Sequence, residues 1–355
     1  MLTIMKELQL DAVMITDSYN LRHISGFRGE GVLYISKTQN VLLTDSRYTE
    51  QAEKESDFTV LEYNKNHGQH VILKDCIEKD MVGETFTMGY EDQSMYCSQF
   101  NKFQETLPVT KWVPLKDLVS KKRMIKTEQE LEYLAMAESI GDKAFMKMLE
   151  IIKPGMTELE VAAELEYLLK KEGGDGLAFS TIIASGVNSS MPHAIPGDKK
   201  LEVGDFITMD FGCKYKGYCA DMTRTVVLGK ANEKQKEIYH IVLKAQLAAL
   251  DAIKAGIPGK AVDKVARDII AEAGYGAYFG HGLGHSVGLF IHEGPRLSPA
   301  EDTILQPNMT ETVEPGIYLP GFGGVRIEDM VVVTEDGYRN LAHSPKELIE
   351  IPVEE

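Results

Sequence analysis

Ile207-Thr-Met-Asp-Phe-Gly-Cys-Lys-Tyr-Lys-Gly-Tyr-Cys-Ala-Asp-Met-Thr-Arg-Thr-Val-Val227 contains two strand-like runs, Phe206–Phe211 and Ala220–Leu228, around a short polar segment with glycines at 212 and 217. Apolar and β-branched runs separated by a glycine-containing turn predict a β-hairpin. A turn centred on Tyr215-Lys216 sets Asp210 directly opposite Asp221, with Cβ atoms about 4.5–5.5 Å apart. Two carboxylates facing each other on a half-buried sheet repel, so a counter-charge is required. No lysine or arginine lies beside either acid on its face of the hairpin, because Arg224 alternates to the face opposite Asp221. A divalent metal ion is the economical counter-charge.

The chain around this hairpin repeats itself. Lys153-Pro-Gly-Met-Thr157 followed by a helix to Glu172-Gly173 is matched by Lys254-Ala-Gly-Ile-Pro258 followed by a helix to Glu272-Ala-Gly274. Leu201–Asp210 is matched by Leu305–Glu314, again displaced by roughly 100 residues, so two units of similar build are expected. The repeat puts Glu314 where Asp210 sits. A second hairpin turns through Pro320-Gly-Phe-Gly-Gly324, and centring it on Gly321 sets Glu314 opposite Glu328.

Two facing carboxylate pairs make a cage of four acids, and histidines gather nearby: His281-Gly-Leu-Gly-His285, His292-Glu, and His193 in Met191-Pro-His. An oxygen-rich set with one imidazole suits two divalent first-row ions such as Mn²⁺, Co²⁺ or Fe²⁺ better than a tetrahedral structural zinc. Four negative charges balance two dications, and a water shared between them would lose its proton near neutral pH. Glycines at 280, 282, 284 and 288 argue against a long helix, and they lack the strand-to-helix context of a nucleotide fingerprint. The H-E-x-x-H zinc motif is absent.

At 355 residues the chain exceeds the usual single-domain size, so two domains are expected. Its net charge of −16 disfavours nucleic acid and anionic membranes as partners, and Lys121-Lys122-Arg123 is too short to reverse that. The start of the chain lacks a signal-peptide pattern and no run is long and apolar enough to span a membrane, so a cytoplasmic location is expected. Cys76, Cys97, Cys213 and Cys219 show no C-x-x-C spacing and read as reduced thiols.

Residues 1–119 read as a small α/β domain. Strand-like runs at 12–16, 31–36, 41–44, 58–63 and 87–91 alternate with helical segments at 46–55, 67–79 and 94–106. Asn20-Leu-Arg-His23 and Asp45-Ser-Arg-Tyr48 read as turns and a helix cap at strand ends. Residues 120–355 form the second domain, entered through capped helices at Thr127, with Glu130 completing a capping box, and at Thr157.

Met209-Asp-Phe-Gly, Ala220-Asp-Met-Thr-Arg-Thr, Gly280-His-Gly-Leu-Gly-His-Ser-Val-Gly-Leu, His292-Glu, Val313-Glu-Pro-Gly and Gly324-Val-Arg-Ile-Glu-Asp occur in that order. With these motifs residues 123–340 resemble the pita-bread metallopeptidases, which include methionine aminopeptidase, aminopeptidase P and proline dipeptidase. The region before residue 120 resembles the N-terminal domain of the proline-specific branch.

The resemblance implies a pseudo-twofold α+β catalytic domain with Asp210, Asp221, His285, Glu314 and Glu328 as metal ligands, Asp221 and Glu328 being bidentate. It implies that His193 and His292 contact substrate and stabilise the tetrahedral intermediate. His281 would line a proline pocket, Arg326 would support the site beside Glu328, and Glu314 would carry a proton to the leaving nitrogen. The implied activity is hydrolysis of Xaa-Pro bonds, as an aminopeptidase or a dipeptidase, by a homodimer with two divalent ions. Manganese is the first choice, with cobalt, iron or zinc as alternatives. A metal-free creatinase-like hydrolase and an inactive binding protein on the same fold are the rivals, and five intact candidate ligands argue against both.

Overall fold

The computed structural model describes residues Met1–Val353. It divides into two compact units, Met1–Arg123 and the chain from Met124 onward, where the sequence placed the boundary at residue 119.

The first unit is a mixed six-stranded sheet between two helical layers. Its strands are β1 (Ala12–Ile15), β2 (Val32–Ser36), β3 (Asn40–Asp45), β4 (Thr59–Tyr63), β5 (Thr87–Tyr90) and β6 (Lys111–Pro114), in the order β4-β3-β2-β1-β5-β6. Strand alternation sorts the core. Ala12, Met14, Tyr34 and Leu43 pack with Leu73, Ile77 and Phe103 on one face, while Val13, Ile15, Leu33 and Leu42 pack with Ile4, Met5, Leu21 and Ala52 on the other.

The helices are α1 (Leu2–Glu7), α2 (Ser18–Ser25), α3 (Thr49–Glu55), α4 (Gln69–Asp80) and α5 (Cys97–Thr106). α2 corrects the sequence reading, because Asn20-Leu-Arg-His23 lies inside a helix. The Asp17 carboxylate caps it by accepting from the Tyr19 and Asn20 amides, and Gly26 ends it at φ 78. Eight residues are too few to display a helical apolar period, so only the cap was legible.

The second unit is built twice over. α6 (Glu128–Ile151) and α7 (Glu158–Lys171) form one helix pair, and α8 (Glu233–Ala252) and α9 (Gly259–Glu272) form the other. Thr127 and Thr157 cap α6 and α7 in full capping boxes. Isolated β-bridges Thr157↔Lys200 and Pro258↔Ile304 recur at matching places in the two halves, each beside a left-handed glycine, Gly155 at φ 87 and Gly256 at φ 88. None of the described helices is long and apolar enough to cross a membrane.

The first repeat carries β7 (Gly176–Leu177), β8 (Ile182–Ser185), β9 (Phe206–Phe211), β10 (Cys213–Tyr215), β11 (Tyr218–Cys219) and β12 (Met222–Leu228). The second carries β13 (Gly284–Ser286), β14 (Glu293–Leu297), β15 (Thr310–Val313), β16 (Gly316–Leu319), β17 (Gly323–Arg326), β18 (Asp329–Val333) and β19 (Tyr338–Asn340). β20 (Glu350–Ile351) returns to pair with β12. Ile207, Met209 and Phe211 pack against α6 and α7, so Thr208 and Asp210 face the opposite side. Val313, Val331 and Val333 join the α8 and α9 core in the same way, which turns Thr312 and Glu314 to the inner side.

The first hairpin differs in register from the sequence reading. Asp210 pairs with Thr223 and Phe211 with Met222, and beyond them Lys214 pairs with Cys219 and Tyr215 with Tyr218. The turn is therefore Lys216-Gly217, with φ 48 and 75, the positive pair that a tight two-residue hairpin requires. A shift of two residues leaves every side chain on its original face. Asp221 thus lies diagonal to Asp210, on the same side of the sheet. Gly212 permits this geometry, since a Cβ there would strike the Ala220 carbonyl oxygen. The second hairpin has the expected register: Val313↔Asp329 on one flank and Gly316↔Arg326 on the other set Glu314 against Glu328. Cys213 and Cys219 are both buried.

Candidate metal centre and active site

Asp210 at the end of β9, Asp221 before β12 and Glu328 before β18 bring carboxylate oxygens within 4.8 Å of one another. His285 on β13 closes the group, with Nε2 3.5 Å from Asp221 Oδ2 and 3.6 Å from Glu314 Oε1. Gly284 allows that approach, because a Cβ there would strike the Thr312 carbonyl of β15. The five residues singled out as ligands therefore meet at one point.

Electrostatics show what this cluster lacks. Burial, then the charges of Glu328, Asp210 and Glu314, hold the Asp221 carboxyl well above its ordinary range. Burial and the neighbouring acids do the same to Glu328. Glu314 is pushed up to about 8 by burial and Asp210, against the opposing charge of Arg326. Burial pulls His285 down to about 3, so its ring is neutral. Its Nδ1 lies 3.1 Å from the Ser286 carbonyl, and donation there leaves the Nε2 lone pair aimed at two carboxylates. Asp210 Oδ1 is buried without a hydrogen-bond partner among the described residues. An orphaned carboxylate oxygen, an imidazole lone pair and surplus negative charge at one place fit divalent cations.

A second layer orients the donors. Thr223 Oγ1 donates to Glu328 Oε2 at 2.6 Å, and Thr312 Oγ1 donates to Glu314 Oε1 at 3.2 Å. The Asp221 amide donates to Glu138 Oε1 at 2.7 Å from α6, where burial pushes the Glu138 carboxyl up to about 8. Arg326 does not bond Glu328. Its guanidinium reaches Asp210 Oδ2 at 2.6 Å, Tyr318 Oη at 3.0 Å and Thr223 Oγ1 at 3.0 Å. The first hairpin supplies no cation beside Asp210, as its sequence indicates, but the other hairpin does, and pairing within one hairpin cannot reveal it.

The acids form one wall of a cavity of about 830 Å³. His193, His281, His292, Arg326 and all five candidate ligands line it, so the structure gathers every site residue expected from the sequence. Phe179, Ile182, Pro192 and Ile291 add an apolar wall, and Arg296 a cation. The rings of His292 and His285 sit 4.6 Å apart, and burial followed by Arg296 and His193 lowers the His292 pKa. His281 contacts Tyr318 Oη at 2.9 Å through Nε2, and burial lowers it to about 4.

Residues 132–335 match metallopeptidase family M24, and residues 1–125 match the creatinase/prolidase N-terminal domain. The chain belongs to metallopeptidase family M24. The Xaa-Pro dipeptidase of Pyrococcus furiosus is 42% identical over 347 residues, covering 97% of this chain and 97% of that protein. The structure of an Xaa-Pro dipeptidase from Bacillus anthracis is 42% identical, with a TM-score of 0.93 over 98% of this chain and 97% of the other. An X-Pro aminopeptidase structure from Thermotoga maritima is 40% identical, with a TM-score of 0.92 over 98% and 100%. The fold is thus the two-domain family architecture, a small α/β unit followed by a pita-bread catalytic unit.

Within this metallopeptidase several site residues escaped the sequence reading. Glu138 had a signal, a carboxylate on the apolar stripe of α6, where the helix buries Leu134, Ala137 and Gly141 around it. Tyr318 lies inside an ordinary strand pattern, and nothing local distinguishes it from a core tyrosine.

Proposed function

We propose that this metallopeptidase hydrolyses the peptide bond between an N-terminal residue and a following proline. The observation that carries the reading is the set of five buried or half-buried donors at one end of a cavity whose other walls are histidines and apolar side chains. The relatives from Pyrococcus and Bacillus anthracis bear the name Xaa-Pro dipeptidase and the Thermotoga structure that of an X-Pro aminopeptidase, which supports the substrate class.

In this proposal Asp210, Asp221, His285, Glu314 and Glu328 hold two divalent ions, manganese first. Such ions, when bound, acidify water and polarise a carbonyl. Glu314 accepts the proton of the attacking water and delivers it to the proline nitrogen as the C–N bond breaks. That delivery matters because the departing nitrogen is too basic to leave as an anion. His193 and His292 face the cavity and donate to the carbonyl oxygen as its charge grows. The lowered pKa of His292 keeps the ring neutral, so it donates without placing a second cation beside the metals. His281, held by Tyr318, walls the space for the proline ring.

Arg326 is committed to Asp210, Tyr318 and Thr223, which leaves Arg296 as the cavity cation able to meet a dipeptide's carboxylate. A homodimer in the cytoplasm completes the proposal.

The test is a substrate panel with Mn²⁺ or Co²⁺: Ala-Pro, Ala-Pro-Ala-Ala, Met-Ala-Ser and creatine. Release of the N-terminal residue from the proline compounds alone is expected. Comparable rates on the two would mark an open-cleft aminopeptidase. Cleavage of Met-Ala-Ser but neither proline compound would refute the specificity and leave the metal site standing.

A further inference from the structure

Behind the site histidines lies a buried charge cluster that the reaction described above does not use. Lys126, just before α6, is 3% exposed, and its backbone amide is tied to the Asn308 carbonyl at 2.9 Å. Its ammonium lies 3.0 Å from Ser286 Oγ and 3.5 Å from Glu293 Oε2. Ser286 directly follows His285, and Glu293 directly follows His292.

We propose that Lys126 is a positioning residue: one buried ammonium joins the residues that follow His285 and His292, and so fixes both imidazoles against the acid cage. The inference rests on the peptidase reading for what those histidines do.

The backbone explains why such a tie is needed. β13 pairs regularly with β14 through Gly284↔Leu297 and His285↔Arg296, and then the register shifts so that Ser286 meets Glu293. A bulge of this kind re-aims side chains and weakens the ladder where it occurs. Lys126 lands on the pair beyond the shift, Ser286 and Glu293, and bridges it through side chains. Each partner is itself anchored. Glu293 Oε1 accepts the Phe290 amide at 3.1 Å, and Ser286 Oγ lies 3.3 Å from Thr310 Oγ1 on β15. The result is a connected path from β15, which leads into Glu314, to β13, which carries His285, and to the start of β14, which His292 immediately precedes.

A purely stabilising role explains the arrangement less well. Taking an ammonium and a carboxylate out of water is costly, and an apolar pair of the same volume often does as well or better. Glu311, beside the cluster on β15, makes the setting costlier. Both its oxygens are buried without a hydrogen-bond partner among the described residues, and burial holds its carboxyl well above the usual range against the opposing charge of Lys126. What the ion pair supplies, and an apolar pair could not, is a directional link to two particular positions.

The test compares Lys126→Met with Val242→Ala, a core truncation on α8 that lowers stability elsewhere. Three measurements are made on full-length protein: melting temperature, Co²⁺ affinity of the metal-free chain by calorimetry, and steady-state kinetics (kcat and KM) on Ala-Pro. Lys126→Met should weaken Co²⁺ binding and lower kcat by about 10–100-fold, the range for outer-shell partners of a metal site, with KM within about threefold. Val242→Ala should lower the melting temperature and leave both functional readings unchanged. Co²⁺ affinity and kcat within twofold of wild type in Lys126→Met would overturn the proposal, whatever the loss in melting temperature. If that variant does not fold, Lys126→Met/Glu293→Gln also removes the carboxylate charge that faced the ammonium. The double variant should keep the deficit, and wild-type kcat and Co²⁺ affinity in it would overturn the proposal. Wild-type protein that binds Co²⁺ but spares Ala-Pro would refute the substrate reading alone, and the Co²⁺ affinities would then decide the role of Lys126.

Discussion

Arg326 Nη2 lies 2.6 Å from Asp210 Oδ2, an ion pair joining the last residue of β17 to the end of β9, while Asp210 Oδ1 keeps no hydrogen-bond partner among the described residues. One carboxylate thus has one oxygen committed to a fixed guanidinium and the other left open toward the cage. The same guanidinium holds Tyr318 and Thr223, and Thr223 in turn holds Glu328. A single side chain therefore sets donors contributed by both repeats.

Arg326→Lys should fail to replace it, because an ammonium cannot copy a planar fork that serves three partners. Mn²⁺ affinity and kcat should each fall by about 10–100-fold, as expected when a ligand's orienting partner is lost. Calorimetric titration of the metal-free variant checks this, and Mn²⁺ affinity equal to wild type would contradict it.

Asp221→Asn should abolish activity while leaving folding cooperative. Asp221 is surrounded by Glu328, Asp210, Glu314 and Glu138, so its charge strains the metal-free fold. The metal-free variant should melt at or above the metal-free wild type, and added Mn²⁺ should raise its melting point less. Substantial turnover at saturating Mn²⁺ would remove Asp221 from the ligand set.

His292→Ala should lower kcat by roughly 10²–10³, the size of losing one oxyanion donor, with metal content unchanged. Loss of bound metal in this variant would reassign His292 as a ligand.

The pH dependence of the metal-free chain follows from the raised carboxyls. Asp221 and Glu328 stand well above the carboxylate range and Glu314 at about 8. A carboxyl with a raised folded pKa stabilises the fold fully below its unfolded value, about 4. That contribution is lost as pH rises through the folded value. The metal-free protein should accordingly melt lower at about pH 8.5 than at about pH 5.5 on account of this site. Divalent ions favour the ionised acids, so loaded protein should gain most from metal at the higher pH. A metal-induced rise in melting temperature that shrinks with increasing pH would contradict the charge analysis.

How much of this was legible in the sequence depended on how far apart the partners lie. The second hairpin could be registered because its glycine-rich turn centres on Gly321, and Glu314 and Glu328 then face each other. The first was misplaced by two residues because Lys216 takes a positive φ that its side chain does not advertise. The shift did no harm to the site, since a strand returns to the same face every second residue. The cage histidine and acids carried motif signals. Arg326 lay in a motif too, but its contact with Asp210, like that of Lys126 with Ser286, was not legible, because the partners are 116 and 160 residues apart and no local pattern encodes a contact across the pseudo-twofold repeat.

The central claim is that these five donors hold two ions on which Xaa-Pro hydrolysis depends. Metal-free protein titrated with Mn²⁺, with bound metal counted per chain and Ala-Pro hydrolysis followed in the same samples, tests it most directly. The account predicts two ions per chain at saturation, with activity absent before metal is added and restored by it. Ala-Pro cleavage that survives complete removal of metal, or a folded chain that takes up no Mn²⁺, would contradict it.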